Sequence, residues 1–538
     1  MCGIALISGP GAEQPIFRMM MDQLRHRGEV AETLAREDLL AGTQRLRIVD
    51  AERSAQPWTS ADGRWLLCYN GEVFNFGDLR ERLRRLGHEL TSQGDTETVM
   101  EAFREWGFGA PRRLRGEFAI AIAEIGAGRV FLARDPVGVK PLYYAMRSGR
   151  LHVASEIKAL VPVGSPILPV PPGHCGWAEP GAAPVLEPYA GLDRLGTGTP
   201  ITDPDEAAAL IREKFADSVR VRVATDLTVG VVLSGGVDST LTLRHVRQEH
   251  PDCVAITIGS PGSEDLAYAS RVAADLGVPH EIVRLAPRDI GWRQVREAIR
   301  IGELSEYGDI INAVVSVPLF RRIRELGIKV VLTGDGSDEL FGGYPMYQRV
   351  GAEDIRNLFY HKIVNLGRTE LQRVDRAAMS QGVEARVPFL DLKLVDLALR
   401  MPMDLKVRDG VEKWILRRAF ADALPDYVLA RPKNPMSHSS GLHERARLYK
   451  PLFARAHRSF GYDRCEPVRR DFSILLESCG NDLDLASELA SARTDYTMRE
   501  HARDLAGAAR RNAGSLLRPR RPIPPGQLSG RLPDRVVS

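Results

Sequence analysis

Short apolar runs bounded by turn residues recur through the first half of the chain, at Gly3 to Ser8, Trp65 to Tyr69, Phe118 to Ala123, Val130 to Ala133 and Leu151 to Ala154. Runs of this length predict buried strands. Two helical stretches interrupt them, one near Arg18 to Arg25 and one from Phe76 to Leu86, where Phe76, Leu79, Leu83 and Leu86 recur at helical spacing. Strands and helices mixed in this way predict an α+β domain with stacked sheets. From about Val161 to Pro204 the texture changes to runs such as PILPVPPGH and GTGTP, which predict the end of that domain and a linker. Strand–loop–helix repeats follow. Leu227 to Leu233, Val254 to Ile258 and Lys329 to Leu332 read as strands, and Ser239 to Gln248 and Ala267 to Leu276 as helices. This alternation predicts an α/β parallel sheet with crossover helices. Beyond Leu390 the pattern is helical, and no repeat of fixed period is present.

Composition narrows the class. A chain of 538 residues exceeds what one hydrophobic core supports, so two or more domains are expected. With 44% hydrophobic and 27% charged residues it falls among soluble globular proteins. The net charge of +3 says little about partners, although Arg510 to Ser538 holds seven Arg, five Pro and one acid, Asp534, and reads as a disordered basic tail. Six cysteines, Cys2, Cys68, Cys175, Cys253, Cys465 and Cys479, lie far apart without a CxxC pair, which argues against a disulfide framework or structural zinc. The N-terminus lacks a basic n-region, and no run of about 20 apolar residues occurs, so a cytoplasmic protein is expected, with no membrane and no nucleic-acid partner.

Cys2 is the first chemically loaded position. Removal of the initiator Met would leave a residue with both a thiol and a free α-amine, and an α-amine titrates near pH ~8, so it can accept the thiol's proton during attack. RHRG at Arg25 to Gly28, RLRIVD at Arg45 to Asp50, YNGEVFN at Tyr69 to Asn75 and GDTE at Gly94 to Glu97 follow in order. Together these motifs resemble the class II glutamine amidotransferase domain, an N-terminal-nucleophile hydrolase. The resemblance implies that Cys2 attacks the glutamine side-chain amide and that Asn70 with the Gly71 N–H forms the oxyanion hole. It further implies that Arg45 holds the α-carboxylate and Asp95 the α-ammonium, with Glu72 in the same binding motif. The chemistry agrees, since an acyl-thioester route needs donors aimed at a developing oxyanion. Read by themselves, Asn70 and Gly71 would also fit a hairpin turn.

The second half carries VGVVLSGGVDS, Val229 to Ser239, where two glycines and two serines separate a strand from a helix start and can cradle phosphates. It is not a Walker A loop. It looks like the SGGxDS loop of the N-type ATP pyrophosphatases, which implies that Ser234, Gly235, Gly236 and Ser239 bind ATP and that Asp238 is a magnesium ligand. A second segment, VVLTGDGSDELFGGY at Val330 to Tyr344, carries Asp335, Asp338 and Glu339 among four glycines, and hard carboxylate oxygens suit Mg2+. SQGVEARVPFLD at Ser380 to Asp391, Lys413 in EKWILRRAF and Lys433 in RPK complete the series.

The whole order of motifs resembles the glutamine-hydrolysing asparagine synthetase family. That resemblance implies Asp338 as second magnesium ligand, Thr333, Gly334, Leu233 and Ile258 at the adenylate, and Asp335, Lys413 and Lys433 as catalytic. The implied reaction uses ATP, Mg2+, L-glutamine and a carboxylic acid acceptor, aspartate being favoured. The expected layout is a glutaminase domain over 2–165, a linker over 166–204, a synthetase domain over 205–510 and the tail over 511–538. A homodimer is left open. SGGVDS excludes the glucosamine phosphate and phosphoribosyl amidotransferases, Cys2 argues against a cyclising relative of the β-lactam synthetase kind, and the full residue set argues against a binding protein without turnover. One stretch departs. Where asparagine synthetases of a common type carry a Thr-Thr-x-Arg-x-Ser run, the segment Glu306 to Pro318 is apolar, which favours a less polar acceptor from specialised metabolism as the alternative.

Overall fold

The computed structural model describes residues 1–465 except 12, 51, 191–194, 306, 345–346, 348–358, 360–361 and 435; the basic tail and Cys479 lie outside the described residues. Strands β1 (Cys2–Ser8), β2 (Val30–Ala35), β3 (Leu39–Arg45), β4 (Trp58–Thr59), β5 (Trp65–Val73), β6 (Gly116–Glu124), β7 (Val130–Arg134), β8 (Tyr143–Arg147), β9 (Arg150–Ala154), β10 (Leu168–Pro169), β11 (His174–Ala178) and β12 (Val185–Pro188) form two six-stranded sheets. Their orders are β10-β8-β9-β1-β3-β2 and β12-β11-β7-β6-β5-β4, with antiparallel pairing. Ile4 and Leu6 of one sheet meet Cys68, Ala119, Ala121 and Leu132 of the other in a shared core. On the outer face of the first sheet, Phe17 and Met20 of the helix Gln14–Gln23 pack on Ala5 and Ile7. Leu79, Leu83, Val99 and Phe103, from the helices Phe76–Arg85 and Asp95–Trp106, cover Leu67, Tyr69 and Phe118 of the second sheet. The layers are therefore helix, sheet, sheet, helix, the stacked α+β arrangement of an N-terminal-nucleophile hydrolase.

The stretch read as linker is ordered in part, because Leu168–Pro188 contributes β10, β11 and β12 to these sheets. Its strands are two, five and four residues long and are interrupted by prolines, so no alternation builds up to reveal them.

The remaining strands, β13 (Val229–Val232), β14 (Val254–Gly259), β15 (His280–Arg284), β16 (Val330–Leu332) and β17 (Glu384–Arg386), make one parallel sheet in the order β15-β14-β13-β16-β17. Helices bury both faces, which explains why β13, β14 and β16 are apolar throughout. The chain leaves β13 toward β14 on one side and returns to β16 on the other. The loops after β13 and β16 therefore diverge, the topological switch point at which open α/β sheets bind ligands. After β17 the described chain is helical, apart from isolated bridges at Arg408–Val411 and at Ile167–Cys465.

The two halves meet through buried charges. Arg27, in the RHRG motif, donates to Asp375 at 2.8 and 3.0 Å and to Glu156 at 2.6 Å. Arg376 donates to Asp375 at 2.9 Å and to Glu303 at 2.9 Å, while Lys158 pairs with Glu156 and Glu303. Burial works against the Glu156 and Asp375 carboxylates, and the opposite charges beside them keep both below the ordinary range.

Candidate active site

Cys2 opens β1 directly opposite Arg45 at the end of β3, and both line one small cavity with Gly71, Glu72 and Asp95. Asn70 is fully buried beside them, its Oδ1 accepting the Cys2 backbone N–H at 3.0 Å, while its Nδ2 makes no hydrogen bond among the described residues. Asn70 and Gly71 sit mid-strand in β5, paired with Ala119 and Phe118, and are not a hairpin turn. The glycine is required by close packing, since a Cβ there would come 2.2 Å from the Glu117 carbonyl oxygen. Asp95 starts the helix Asp95–Trp106 and accepts from the Tyr69 hydroxyl at 2.7 Å and the Val73 N–H at 3.0 Å. Burial raises the Asp95 and Glu72 carboxyls, Glu72 further through Asp95. The ammonium of a bound amino acid would supply the counter-charge this pair calls for. Burial also pushes the Cys2 thiol up, so any nucleophilic role for it would need a proton acceptor.

Two residues of the other half, inside the Ser380–Asp391 motif but not singled out there, meet residues that line this cavity. Glu384 of β17 pairs with the Met1 ammonium at 3.2 Å, and Arg386 lies 3.6 Å from Glu72. Burial pushes Glu384 up, but Arg386 and the terminal ammonium outweigh it and hold the carboxyl at about 2. Met1 thus marks a place where an α-ammonium is accommodated, and its carbonyl takes the Leu46 N–H at 3.0 Å.

The second constellation lies at the switch point. Ser234 to Gly236 turn from β13 into the helix Val237–Glu249, with Gly235 at φ +74°, where a Cβ would meet Tyr268 at 2.6 Å. The Ser239 hydroxyl accepts the Ser234 N–H at 3.1 Å, and Arg431 donates to the Ser234 carbonyl at 2.6 Å. Leu233, Ile258 and Thr333 are buried at the ends of the three central strands. Ser337 donates to Asp238 Oδ1 at 2.6 Å, tying the loop after β16 to the loop after β13. Between the two loops stands Lys413, whose ammonium pairs with Asp238 and, at 2.6 Å, with Asp338; Lys433 meets the other Asp338 oxygen at 2.6 Å. Burial would raise Asp338, but the two lysines hold it down at about 2. Lys413 occupies left-handed backbone at φ +54°, a strained position for a residue with a Cβ. Asp238 and Asp338 are hard oxygen donors gathered on one cation, which fits Mg2+; among the described residues no cluster of three His, Cys, Asp or Glu occurs, so the ion would draw further ligands from phosphates and water.

The first sheet pair and the parallel sheet thus carry two separate groups of motif residues in one chain. Residues 1–168 match the model of the glutamine amidotransferase domain, and residues 210–353 and 348–469 match asparagine synthase. The chain is 32% identical over 440 residues to asparagine synthetase B [glutamine-hydrolyzing] of Escherichia coli (strain K12), covering 78% of each chain. It belongs to the glutamine-hydrolysing asparagine synthetase family. Asparagine synthetase [glutamine-hydrolyzing] 3 of Arabidopsis thaliana is 32% identical over 469 residues, covering 82% of this chain and 79% of that one. A probable asparagine synthetase of Schizosaccharomyces pombe is 32% identical over 486 residues, covering 82% and 85%. As a member of this family the chain is a carbon–nitrogen ligase that takes its nitrogen from glutamine. No helix among the described residues is long and apolar enough to cross a membrane.

The stretch that departs from the asparagine synthetase pattern lies on the helix Tyr307–Glu325. Its apolar residues Ile310, Ile311, Val314, Val315 and Val317 are packed into the core against β14, β16 and the helix Glu370–Met379. They fill the protein rather than lining a pocket, and so give no argument for a less polar acceptor.

Proposed function

We propose that this enzyme activates the side-chain carboxylate of L-aspartate with ATP and amidates the acyl-adenylate with ammonia from L-glutamine, giving L-asparagine, AMP, pyrophosphate and glutamate. The observation that carries the reading is the Lys413 ammonium held between Asp238 and Asp338 where the loops after β13 and β16 diverge. It supports a site built for a polyanion and its counter-ions. The first half, running through Pro188, would be the glutaminase, and the chain from about residue 205 the synthetase.

In the glutaminase half, removal of Met1 turns the Cys2 nitrogen, already held by Asn70, into the free α-amine. The thiol sulfur then attacks the glutamine amide carbon as its proton passes to that amine. The Asn70 Nδ2 and Gly71 N–H donate to the oxyanion, Arg45 and Asp95 hold the two charges of the amino acid, and Glu72 steadies its ammonium. Ammonia leaves with the returned proton, and water releases glutamate from the thioester. In the synthetase half, Ser234, Gly235, Gly236 and Ser239 cradle the pyrophosphate while Leu233, Ile258, Thr333 and Gly334 surround the adenylate. Asp238 and Asp338 would hold Mg2+, which when bound neutralises phosphate charge. Lys413 and Lys433 offset the charge on departing pyrophosphate, and Asp335 shares the loop after β16 with Thr333, Gly334 and Asp338.

Pyrophosphate release that depends on aspartate tests the reading, and release of ADP and phosphate refutes it. A Cys2→Ala protein should lose glutamine-supported synthesis and keep synthesis with ammonium. Glutamine use by that variant would refute the nucleophile assignment. Product mass separates amidation, which exchanges OH for NH2, from cyclisation.

A further inference from the structure

The aspartate reading requires a cation for the carboxylate that is not activated, and the helix Tyr307–Glu325 carries none on the stretch where the family pattern has arginine. The fold brings one from elsewhere. Arg373, on the helix Glu370–Met379, is 8% exposed and reaches across to the loop after β16, donating to Asp335 Oδ1 at 2.7 Å. Its Nη1 lies 3.4 Å from Ser316 Oγ and its Nε 3.8 Å from Asp309 Oδ1. Asp309, Asn312 and Ser316 recur at spacings of three and four, so they form the polar stripe of a helix whose other faces are core. That stripe faces Arg373, and the Asn312 Oδ1 atom is buried without a hydrogen-bond partner. Burial would weaken the guanidinium charge, but Asp335 and Asp309 sustain it.

The result is a buried polar cluster between the helix Tyr307–Glu325 and the loop that also carries Thr333, Gly334 and Asp338, with a charged, planar donor at its centre. A guanidinium binds a carboxylate through paired N–H groups better than any other side chain does. We propose that Arg373 determines acceptor specificity by binding the α-carboxylate of the amino-acid acceptor in place of Asp335, whose released carboxylate then takes the α-ammonium. This rests on the aspartate reading above and assigns to it a residue. An acceptor of this class carries one carboxylate to activate, one for Arg373 and one ammonium for Asp335, so the Arg373–Asp335 pair keeps its charge balance when the ligand enters.

The test measures pyrophosphate release with aspartate and with 3-aminopropanoate, which is aspartate without its α-carboxylate, for the native enzyme, Arg373→Met and Arg373→Lys. The native enzyme should prefer aspartate by roughly 10³-fold or more in kcat/KM, as sites built around a buried charge do. In Arg373→Met that preference should collapse by about 10²-fold, mainly through KM for aspartate, with KM for ATP and glutamine hydrolysis at Cys2 held within about threefold. Arg373→Lys should recover part of the loss, because the charge returns without the paired geometry. An unchanged KM for aspartate in Arg373→Met, with glutaminase and ATP binding intact, overturns the proposal while leaving the aspartate reading in place. Should the native enzyme use a different amino dicarboxylate, the same variants must lose that acceptor in the same way. Should it use only monocarboxylic acids, both the aspartate reading and the role of Arg373 fall.

Discussion

Substituting Gly71 by Ala tests the glutaminase geometry with the smallest possible change. The added Cβ would sit 2.2 Å from the Glu117 carbonyl oxygen and 2.7 Å from the Phe118 Cα, both on the backbone of β6. Ordinary contact begins near 3.4 Å, so β5 and β6 must part by about 1 Å. β6 has little room to yield, because the Glu117 side chain is buried and tied to Lys140 at 3.0 Å and to Arg222 at 3.0 Å. The displacement therefore falls on β5 and carries Asn70 and the Gly71 N–H with it. A shift of about 1 Å in a catalytic group costs on the order of 10²-fold in rate, and loss of an oxyanion donor costs about 10²–10³-fold. Glutamine hydrolysis should accordingly fall by at least about 10²-fold, while overpacking lowers stability by only about 1–3 kcal/mol. The assay is glutamate formation from glutamine alongside pyrophosphate release supported by ammonium, which should stay within about twofold of native because the switch-point site is untouched. If Gly71→Ala hydrolysed glutamine at close to the native rate, β5 would not be supplying the oxyanion donors and the placement of the site would be wrong.

Two further outcomes probe the interior. Asp375 receives two bonds from Arg27 and one from Arg376, so Asp375→Ala leaves three buried cations, counting Lys158, against Glu156 and Glu303 alone. Unfolding in urea should show a loss of about 3–5 kcal/mol, and a loss below about 1 kcal/mol would mean the network is not the buried electrostatic contact it looks to be. Glu339 is raised to about 8, first by burial and then by Glu370 and Asp338. Its unfolded form ionises near the ordinary value of 4.5, so the folded protein holds the extra proton in between, and stability falls as pH rises from about 4.5 to about 8. Glu339→Gln removes this slope, and its melting temperature relative to native should climb between pH 5 and pH 8; a constant difference would refute the assignment.

The parts legible in the sequence are those whose signal is local. β1, β6 and β14 carry unbroken apolar stretches because both their faces are buried, and Cys2 at a strand start, Asn70–Gly71 within a strand and SGGVDS at a strand-to-helix turn follow in order. β17 was invisible as a strand, since Glu384-Ala385-Arg386 has charges on both ends. Those charges are buried only because they neutralise each other and meet Met1 and Glu72 from the other half, a compensation that no window along the chain can show. Arg373 was missed for a related reason: an arginine in a helical pattern reads as solvated, and its partners Asp335 and Ser316 are 38 and 57 residues away. The apolar face of the helix Tyr307–Glu325 misled in the opposite sense, because apolar residues near a site are more often core than lining.

Arg386 has its backbone carbonyl bonded to the Thr333 N–H at 3.1 Å, beside the switch-point loops, and its guanidinium 3.6 Å from Glu72 in the cavity beside Cys2. One residue of a three-residue strand thus touches both constellations, its backbone fixed beside Thr333 and its side chain set against Glu72. Any influence carried through this contact must be mutual: the factor by which a ligand at one constellation alters affinity at the other equals the factor in the reverse direction.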